Sequence, residues 1–248
     1  MSAITTGTAI TRTSAARRFD PGRLATGVVL AAWASLFWFV LISGRTSLYL
    51  SSRTRWLVPV GATILTAAAI GRLWFSRVDR PEPLSPRATW VLGAITLPVV
   101  VLLALPPVTL GAYSASRRSS YSGSGIGATA RSVTGPLDFV DVGAAQSFDA
   151  AMKQLAARAG EEIDLQGFVT TEPGLLEGEI VLTRYIVTCC VADATVARVH
   201  VVGVPPGQFH PDDWLEITGK VYPVGRDVLV AADSWAPIPV PSQPYLTP

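Results

Sequence analysis

Three long apolar runs constrain this chain more than any other feature of its sequence. They cover residues 24–42, 56–75 and 90–110. Each run has about 20 residues, the length that an α-helix needs to cross a hydrocarbon core of roughly 30 Å. The whole chain is 49% hydrophobic and 15% charged, which is too apolar for one ordinary soluble domain. The runs therefore predict three transmembrane helices.

Two of these runs admit another interpretation. Arg17, Arg18 and Arg23 precede the first run, as in a secretory signal peptide, but an h-region is shorter and no small-residue cleavage site follows before Arg45. Pro98 interrupts the third run, and a membrane helix tolerates such a kink when neighbouring helices support it. We prefer three spans to a cleaved leader or a buried soluble helix.

Basic residues predict the orientation of these spans. About eight Arg lie in the N-terminal segment and in the loop between the second and third runs, against about six on the other side. The positive-inside rule places the N-terminus in the cytoplasm and the C-terminal domain outside the plasma membrane. Miscounting one span would reverse the position of the C-terminal domain.

Charge is distributed unevenly along the chain. Residues 1–131 carry 14 of the 20 Lys and Arg but 3 of the 18 Asp and Glu, a net charge of about +11, and the remainder carries about −9. An acidic C-terminal domain counts against nucleic acid as a ligand, because phosphate contacts need a basic surface.

Composition divides the chain into five parts. A disordered N-terminus (1–23) precedes the transmembrane domain (24–110), and a Gly/Ser-rich linker (111–135) leads to a β domain (136–236) and a Pro-rich, polyproline-like tail (237–248). At the start of the β domain, Ser147 is expected to cap one short amphipathic helix over 148–159, which stops at Gly160.

The β domain carries five segments with strand periodicity. Residues 163–169 and 215–221 share the pattern apolar-x-apolar-x-Gly-x-Val, with Gly167 and Gly219 at sharp bends. Such bends let a small sheet curl into a barrel. The other strands are expected at 179–190, 195–204 and 227–232. Five strands favour an all-β, OB-like Greek-key barrel over a larger sandwich.

The only two cysteines are adjacent, Cys189 and Cys190, before a predicted hairpin connection. A disulfide between them is not expected, because consecutive Cα atoms are about 3.8 Å apart and bridged cysteines need at least about 4.4 Å. In a regular strand the two side chains would point to opposite faces. A shared metal ion therefore requires a bulge or turn; otherwise these are two small residues packed at a hairpin.

Few other side chains are available to complete a metal site. Zinc prefers four ligands, and the C-terminal domain adds Asp193, His200 and His210, whereas Cu(I) accepts fewer and softer ligands. Each has a simpler interpretation: both histidines as surface residues and Asp193 as a turn residue. Arg184 lies in an apolar strand and is expected to pair with an acidic neighbour or to contact a partner.

Several segments resemble the YcgQ-like permease-subunit family, also called DUF1980. The likeness rests on residues 184–194, which include Cys189-Cys190-Val191-Ala192-Asp193, on 164–169, and on 212–221, which include Trp214. It extends to residues 43–44, 48–50, 55, 105–107 and 110–111. The resemblance implies a bacterial membrane protein paired with a larger multi-span permease, with zinc homeostasis as the role of some relatives. Relatives often carry histidines between the second and third helices, and residues 76–89 have none.

Catalytic motifs are missing from the sequence, which has no phosphate-binding loop, nucleophile elbow, Cys-x-x-Cys or His-Glu-x-x-His pattern. We therefore expect a protein that is not an enzyme. The first hypothesis is an accessory subunit of a permease, with the β domain outside the membrane. The second is a membrane-anchored metal-binding or metallochaperone domain that uses Cys189 and Cys190 to bind Zn or Cu.

Overall fold

The structure is a computed structural model that describes residues 18–78, 81, 83–105, 109–118, 120, 135–205 and 207–248. Three sets of predicted features lie outside the described residues: residues 1–17 of the predicted disordered N-terminus (1–23), the prolines at 106 and 107, and most of the predicted linker (119 and 121–134). Residues 18–23, also predicted to be disordered, instead hold a short strand and the start of the first helix. The chain divides into two compact units. The first, here the helical unit, holds residues up to Phe39 and Pro59–Pro106, and the second, the barrel unit, holds Val40–Val58 and Pro107–Pro248.

Three helices have the length and apolar character needed to cross a membrane: α1 (Pro21–Ile42), α2 (Leu57–Trp74) and α3 (Pro86–Ala104). They confirm the three predicted runs. The third helix begins at Pro86 rather than 90, because the Ser85 hydroxyl caps it by accepting the Ala88 N–H at 3.2 Å. It ends at Ala104 rather than 110, since Leu105 is extended, as the residue before a proline prefers.

Both tryptophan indoles of α1 have hydrogen-bond partners inside the helical unit, while most apolar side chains of the three helices face outward. The Trp33 indole donates to the Ile95 carbonyl at 3.1 Å, and the Trp38 indole donates to the Thr66 hydroxyl at 3.2 Å. Trp90 is 81% exposed. Two short strands, β1 (Arg18–Phe19) and β2 (Arg77–Val78), pair antiparallel. Helices with paired indole N–H groups and apolar exteriors are suited to a lipid environment.

Five strands of the barrel unit form a closed barrel. These strands are β3 (Glu162–Thr170), β4 (Glu179–Ile186), β5 (Thr195–Val202), β6 (Trp214–Val224) and β7 (Asp227–Pro237). They pair in the order β3-β6-β7-β5-β4, and a β3–β4 pairing closes the ring. Within the ring β5 and β7 are parallel and the other pairs are antiparallel. This is the predicted OB-type Greek-key barrel.

The two predicted glycine bends lie where backbone approaches backbone. A Cβ on Gly167 would be 2.8 Å from the Thr183 carbonyl oxygen and 2.9 Å from Leu182. A Cβ on Gly219 would overlap the Ala231 carbonyl, and the β6–β7 register shifts between Thr218 and Gly219. Only glycine lets the strands approach this closely, so both residues set the curvature of the barrel.

Two short helices come directly before β3; the second confirms the helix predicted over 148–159, and the first was not predicted. They are α5 (Phe139–Ser147) and α6 (Asp149–Ala156), separated by the extended residue Phe148. Ser147 is not the cap of α6, whose N-cap residue is Phe148; the Ser147 hydroxyl donates to the Gly143 carbonyl at 3.0 Å within α5. Asp138 is the cap of α5 and accepts the Val140 and Asp141 N–H groups. Both helices contribute buried side chains to the barrel core.

A second apolar cluster contains residues from the segment before the barrel and from the C-terminal tail. The predicted linker contains a short helix, α4 (Ala112–Ala115), whose buried alanines pack in a cluster with Tyr185 and Trp214. The tail is not wholly polyproline-like, since Tyr245–Leu246 forms β8 and pairs parallel with the end of β4. The Tyr245 hydroxyl accepts the Leu110 N–H at 3.0 Å. The tail and α4 are therefore parts of the folded unit.

Candidate metal centre

The cysteine pair lies just beyond the end of β4, in the hairpin that leads to β5. The strand was predicted to continue to 190 but ends at Ile186, and Val191–Asp193 form a single 3₁₀ turn. The Asp193 carboxylate ends the strand pattern, because it accepts three successive main-chain N–H groups: Thr188 at 2.9 Å, Cys189 at 2.8 Å and Cys190 at 3.2 Å. The turn that joint metal binding required is therefore present.

This turn brings both sulfur atoms to the same place. The Cys189 and Cys190 Sγ atoms are 3.8 Å apart, and the Cys189 Sγ is 2.6 Å from the Asp193 Oδ2. Both cysteines are free thiols; Cys189 is exposed and Cys190 is half-buried. Two sulfurs each about 2.3 Å from a tetrahedral zinc ion are themselves about 3.8 Å apart. The spacing thus fits two thiolate ligands on one soft metal ion.

The carboxylate controls the protonation of the exposed thiol. Because Cys189 donates to Asp193 and lies beside Cys190, its pKa is raised to about 11. Burial alone would raise the pKa of Asp193, but the bonds from the Cys189 thiol and the three N–H groups outweigh it and lower that pKa. Cys189 is therefore a protonated, weak nucleophile at neutral pH, and a metal ion must displace its proton to bind.

The loop between α1 and α2 is bonded to this hairpin. The hairpin and residues 49–54 share four hydrogen bonds: Val191 N to Tyr49 O at 3.0 Å, Ser51 N to Cys189 O at 3.1 Å, Ser51 Oγ to Thr188 O at 2.9 Å and Thr54 Oγ1 to Cys189 O at 2.6 Å. Sequence reasoning did not anticipate this contact. The only signal was the set of hydroxyl residues in the loop, since side-chain hydroxyls can bond to main chain that no strand has paired.

Arg184 has neither an acidic partner among the described residues nor an exposed face. It is 4% exposed, its guanidinium lies 4.8 Å from the centre of the Trp214 ring, and it donates to the carbonyls of Gln166 and Gln243 at 2.7 Å each. Burial lowers its pKa to about 10, so it stays charged at neutral pH. Arg184 and Trp214 fasten the C-terminal segment to the barrel and are not ligands of the cysteine centre.

The two histidines are outside the centre. Cys189, Cys190 and Asp193 place one ligand atom each within 4.8 Å of one another, and no histidine belongs to this group among the described residues. His200 Nδ1 is 2.6 Å from the Glu179 Oε1, and His210, with an 80% exposed side chain, lies near Asp213. The Leu176 N–H lowers the pKa of Glu179, and His200 adds to this effect. The centre therefore offers three ligand atoms and leaves further positions open.

Comparison with known proteins gives a family for the C-terminal part. Residues 144–248 match the DUF1980 C-terminal domain, a region that includes the whole barrel and the cysteine hairpin. No curated protein matches the sequence. Among solved structures, a chain in the crystal structure of the S. pombe Stn1-Ten1 complex is similar, with 19% identity and a TM-score of 0.21. The similarity covers 31% of this chain and 57% of that one, less than two thirds of its length, and carries no functional argument.

Proposed function

We propose that this chain, which belongs to the DUF1980 family by its C-terminal domain, is a non-catalytic accessory subunit of a multi-span membrane permease. The observation that carries the proposal is the bonding of the α1–α2 loop to the cysteine hairpin of the barrel. The barrel is thereby connected to the ends of two apolar helices as well as to α3 through the chain. A soluble ligand-binding domain on a simple tether would need no such connection.

The composition of the helices supports a role as an accessory subunit rather than as a transporter. Each of the three helices contains one charged residue, Arg23, Arg72 or Arg87, and each of these arginines lies within the first three or the last three residues of its helix. Ionisable groups inside a membrane usually mark an ion or proton path, and the middle of these helices has none. Transport therefore requires another protein, and the exposed apolar side chains of the helices offer it a surface.

The topology of this proposal has three spans. The loop 43–56 follows α1, the barrel follows α3, and their hydrogen bonds require both to lie on the same face of the membrane. A chain with α2 and α3 both inserted meets this requirement, whereas loss of either of these two spans would put the loop and the barrel on opposite faces. The positive-inside rule then favours the outer face for both.

The proposed partnership can be tested by affinity purification from mildly solubilised membranes. Full-length tagged chain is compared with an equally abundant, tagged three-span protein from the same cells. We expect enrichment of one multi-span permease with the chain and not with the control. If no multi-span protein is enriched in the chain sample, the accessory-subunit proposal is wrong.

A second candidate function is binding of a thiophilic metal ion at the cysteine centre. The 3.8 Å sulfur spacing favours it, and thiolates select Zn²⁺ and Cu(I) over hard cations. An exposed Cys189 and an incomplete ligand set suit capture and transfer better than permanent structural binding. In this scheme the barrel receives or presents the metal ion that the permease carries.

A further inference from the structure

A cavity of about 490 Å³ lies in the helical unit where α1 begins, α2 ends and α3 begins. Three arginines line it, one from each helix: Arg23, Arg72 and Arg87. Arg23 and Arg87 lie in the first turns of α1 and α3, and Arg72 lies in the last turn of α2. All three are therefore on the side of the membrane from which the N-terminus enters. Neither the permease role nor the cysteine centre uses this cavity.

The positive charge in the cavity is incompletely balanced. Among the described residues that line it, Asp20 is the only carboxylate, and it caps α1 by accepting the Arg23 N–H at 3.0 Å. The Arg23 guanidinium donates to the Phe75 carbonyl at 2.9 Å. Arg72 and Arg87 have no hydrogen-bond or ion-pair partner among the residues that the structure describes. Within the described lining, three guanidinium groups and one carboxylate give a net charge of about +2.

Helix termini reinforce this charge. The N-termini of α1 (22 residues) and α3 (19 residues) both border the cavity, and the N-terminus of a helix carries a partial positive charge. Arg72 lies in the last turn of α2, where it offsets the opposite partial charge of that terminus. The cavity therefore presents the electrostatic conditions of an anion site.

Apolar residues complete the other side of the cavity. Leu84, Val91 and Leu92 line it next to the arginines, and Val91 is 50% exposed on the surface of α3. A ligand with an anionic phosphate and hydrocarbon chains satisfies both sides, because its chains can follow α3 along the membrane. We propose that this cavity binds the phosphate headgroup of an anionic phospholipid. The proposal rests on membrane insertion of the helices and not on the permease partner.

Lipid binding can be measured on the full-length chain in detergent micelles by titration with phosphatidylglycerol, followed by native mass spectrometry. The double variant Arg72→Gln/Arg87→Gln is expected to lose about thirtyfold in affinity, since each basic residue near an anionic lipid surface contributes about fivefold. Arg77→Gln is the matched control, because Arg77 lies on the same face, stacks on Phe19 at 4.8 Å and does not line the cavity.

Three further results decide the proposal. Phosphatidylcholine should bind far more weakly than phosphatidylglycerol, and Arg72→Lys/Arg87→Lys should retain most of the binding if charge is the cause. Equal loss in Arg77→Gln, or poor binding by a lysine pair of unchanged helicity, would overturn the site. Displacement of the lipid by glycerol 3-phosphate or inorganic phosphate at equal concentration would overturn the lipid as its occupant and assign the cavity to a soluble phosphate.

Discussion

Replacement of Cys189 by serine tests the metal centre most directly. It removes one of two thiolate ligands while keeping a small polar side chain that can donate to Asp193. Loss of a partner outside the ligand shell costs about 10–100-fold in metal affinity, so loss of a ligand should cost at least about 100-fold in zinc affinity.

The structure also predicts how zinc affinity depends on pH. The pKa of Cys189 is raised to about 11, so this thiol must release its proton when a metal ion binds. Below that pKa, each pH unit upward reduces the competition by protons tenfold. Zinc affinity of the wild-type chain should therefore rise at least about tenfold between pH 6.5 and pH 7.5. In the Cys189→Ser variant, the part of this rise in zinc affinity with pH that comes from Cys189 should be absent.

The assay is competition with a chromophoric chelator, using the reduced full-length chain in detergent. His210→Ala is the matched control: its imidazole is 80% exposed and outside the cysteine centre, so its zinc affinity should equal that of the wild type. The reasoning is refuted if Cys189→Ser binds zinc as tightly as the wild type, or if the wild-type affinity stays constant with pH.

Three other predictions concern the fold and the topology. Gly219→Ala should lower the free energy of unfolding by about 3 kcal/mol, because the new Cβ overlaps a main-chain carbonyl of β7. Gly135→Ala is the control: the Cβ would enter open space, so the melting temperature should not change. Arg184→Lys keeps the charge but lacks the planar guanidinium that bonds the Gln166 and Gln243 carbonyls together, so carboxypeptidase should digest the C-terminal segment faster. An unchanged rate of digestion would show that the Arg184 guanidinium does not hold that segment. In intact cells that carry Cys190→Ser, a membrane-impermeant maleimide should label Cys189. Because the pKa of Cys189 is raised, the labelling rate should increase about tenfold for each unit of pH. Labelling only after lysis would place the barrel inside the cell.

Much of the architecture follows from local sequence patterns. Apolar runs of spanning length have few alternatives to helices, and alternation around Gly167 and Gly219 defined two strands and their bends. These predictions held because each depends on residues close in sequence. The helix predicted over 148–159 is present as α6, but its predicted cap was wrong: Phe148 is the N-cap residue, and the Ser147 hydroxyl donates to the Gly143 carbonyl within α5, a helix that the sequence did not predict.

The sequence by itself determined the three apolar helices, the five-stranded barrel and the adjacency of the two cysteines. Only the tertiary structure decided what that adjacency means. Strand periodicity would separate the two side chains, and the Asp193 carboxylate, by capturing three N–H groups, ends the strand and brings the sulfurs to 3.8 Å. The α1–α2 loop then supplies the donors for the hairpin carbonyls that no strand pairs. Its residues lie more than 130 positions from the cysteines, so no local pattern could place them there.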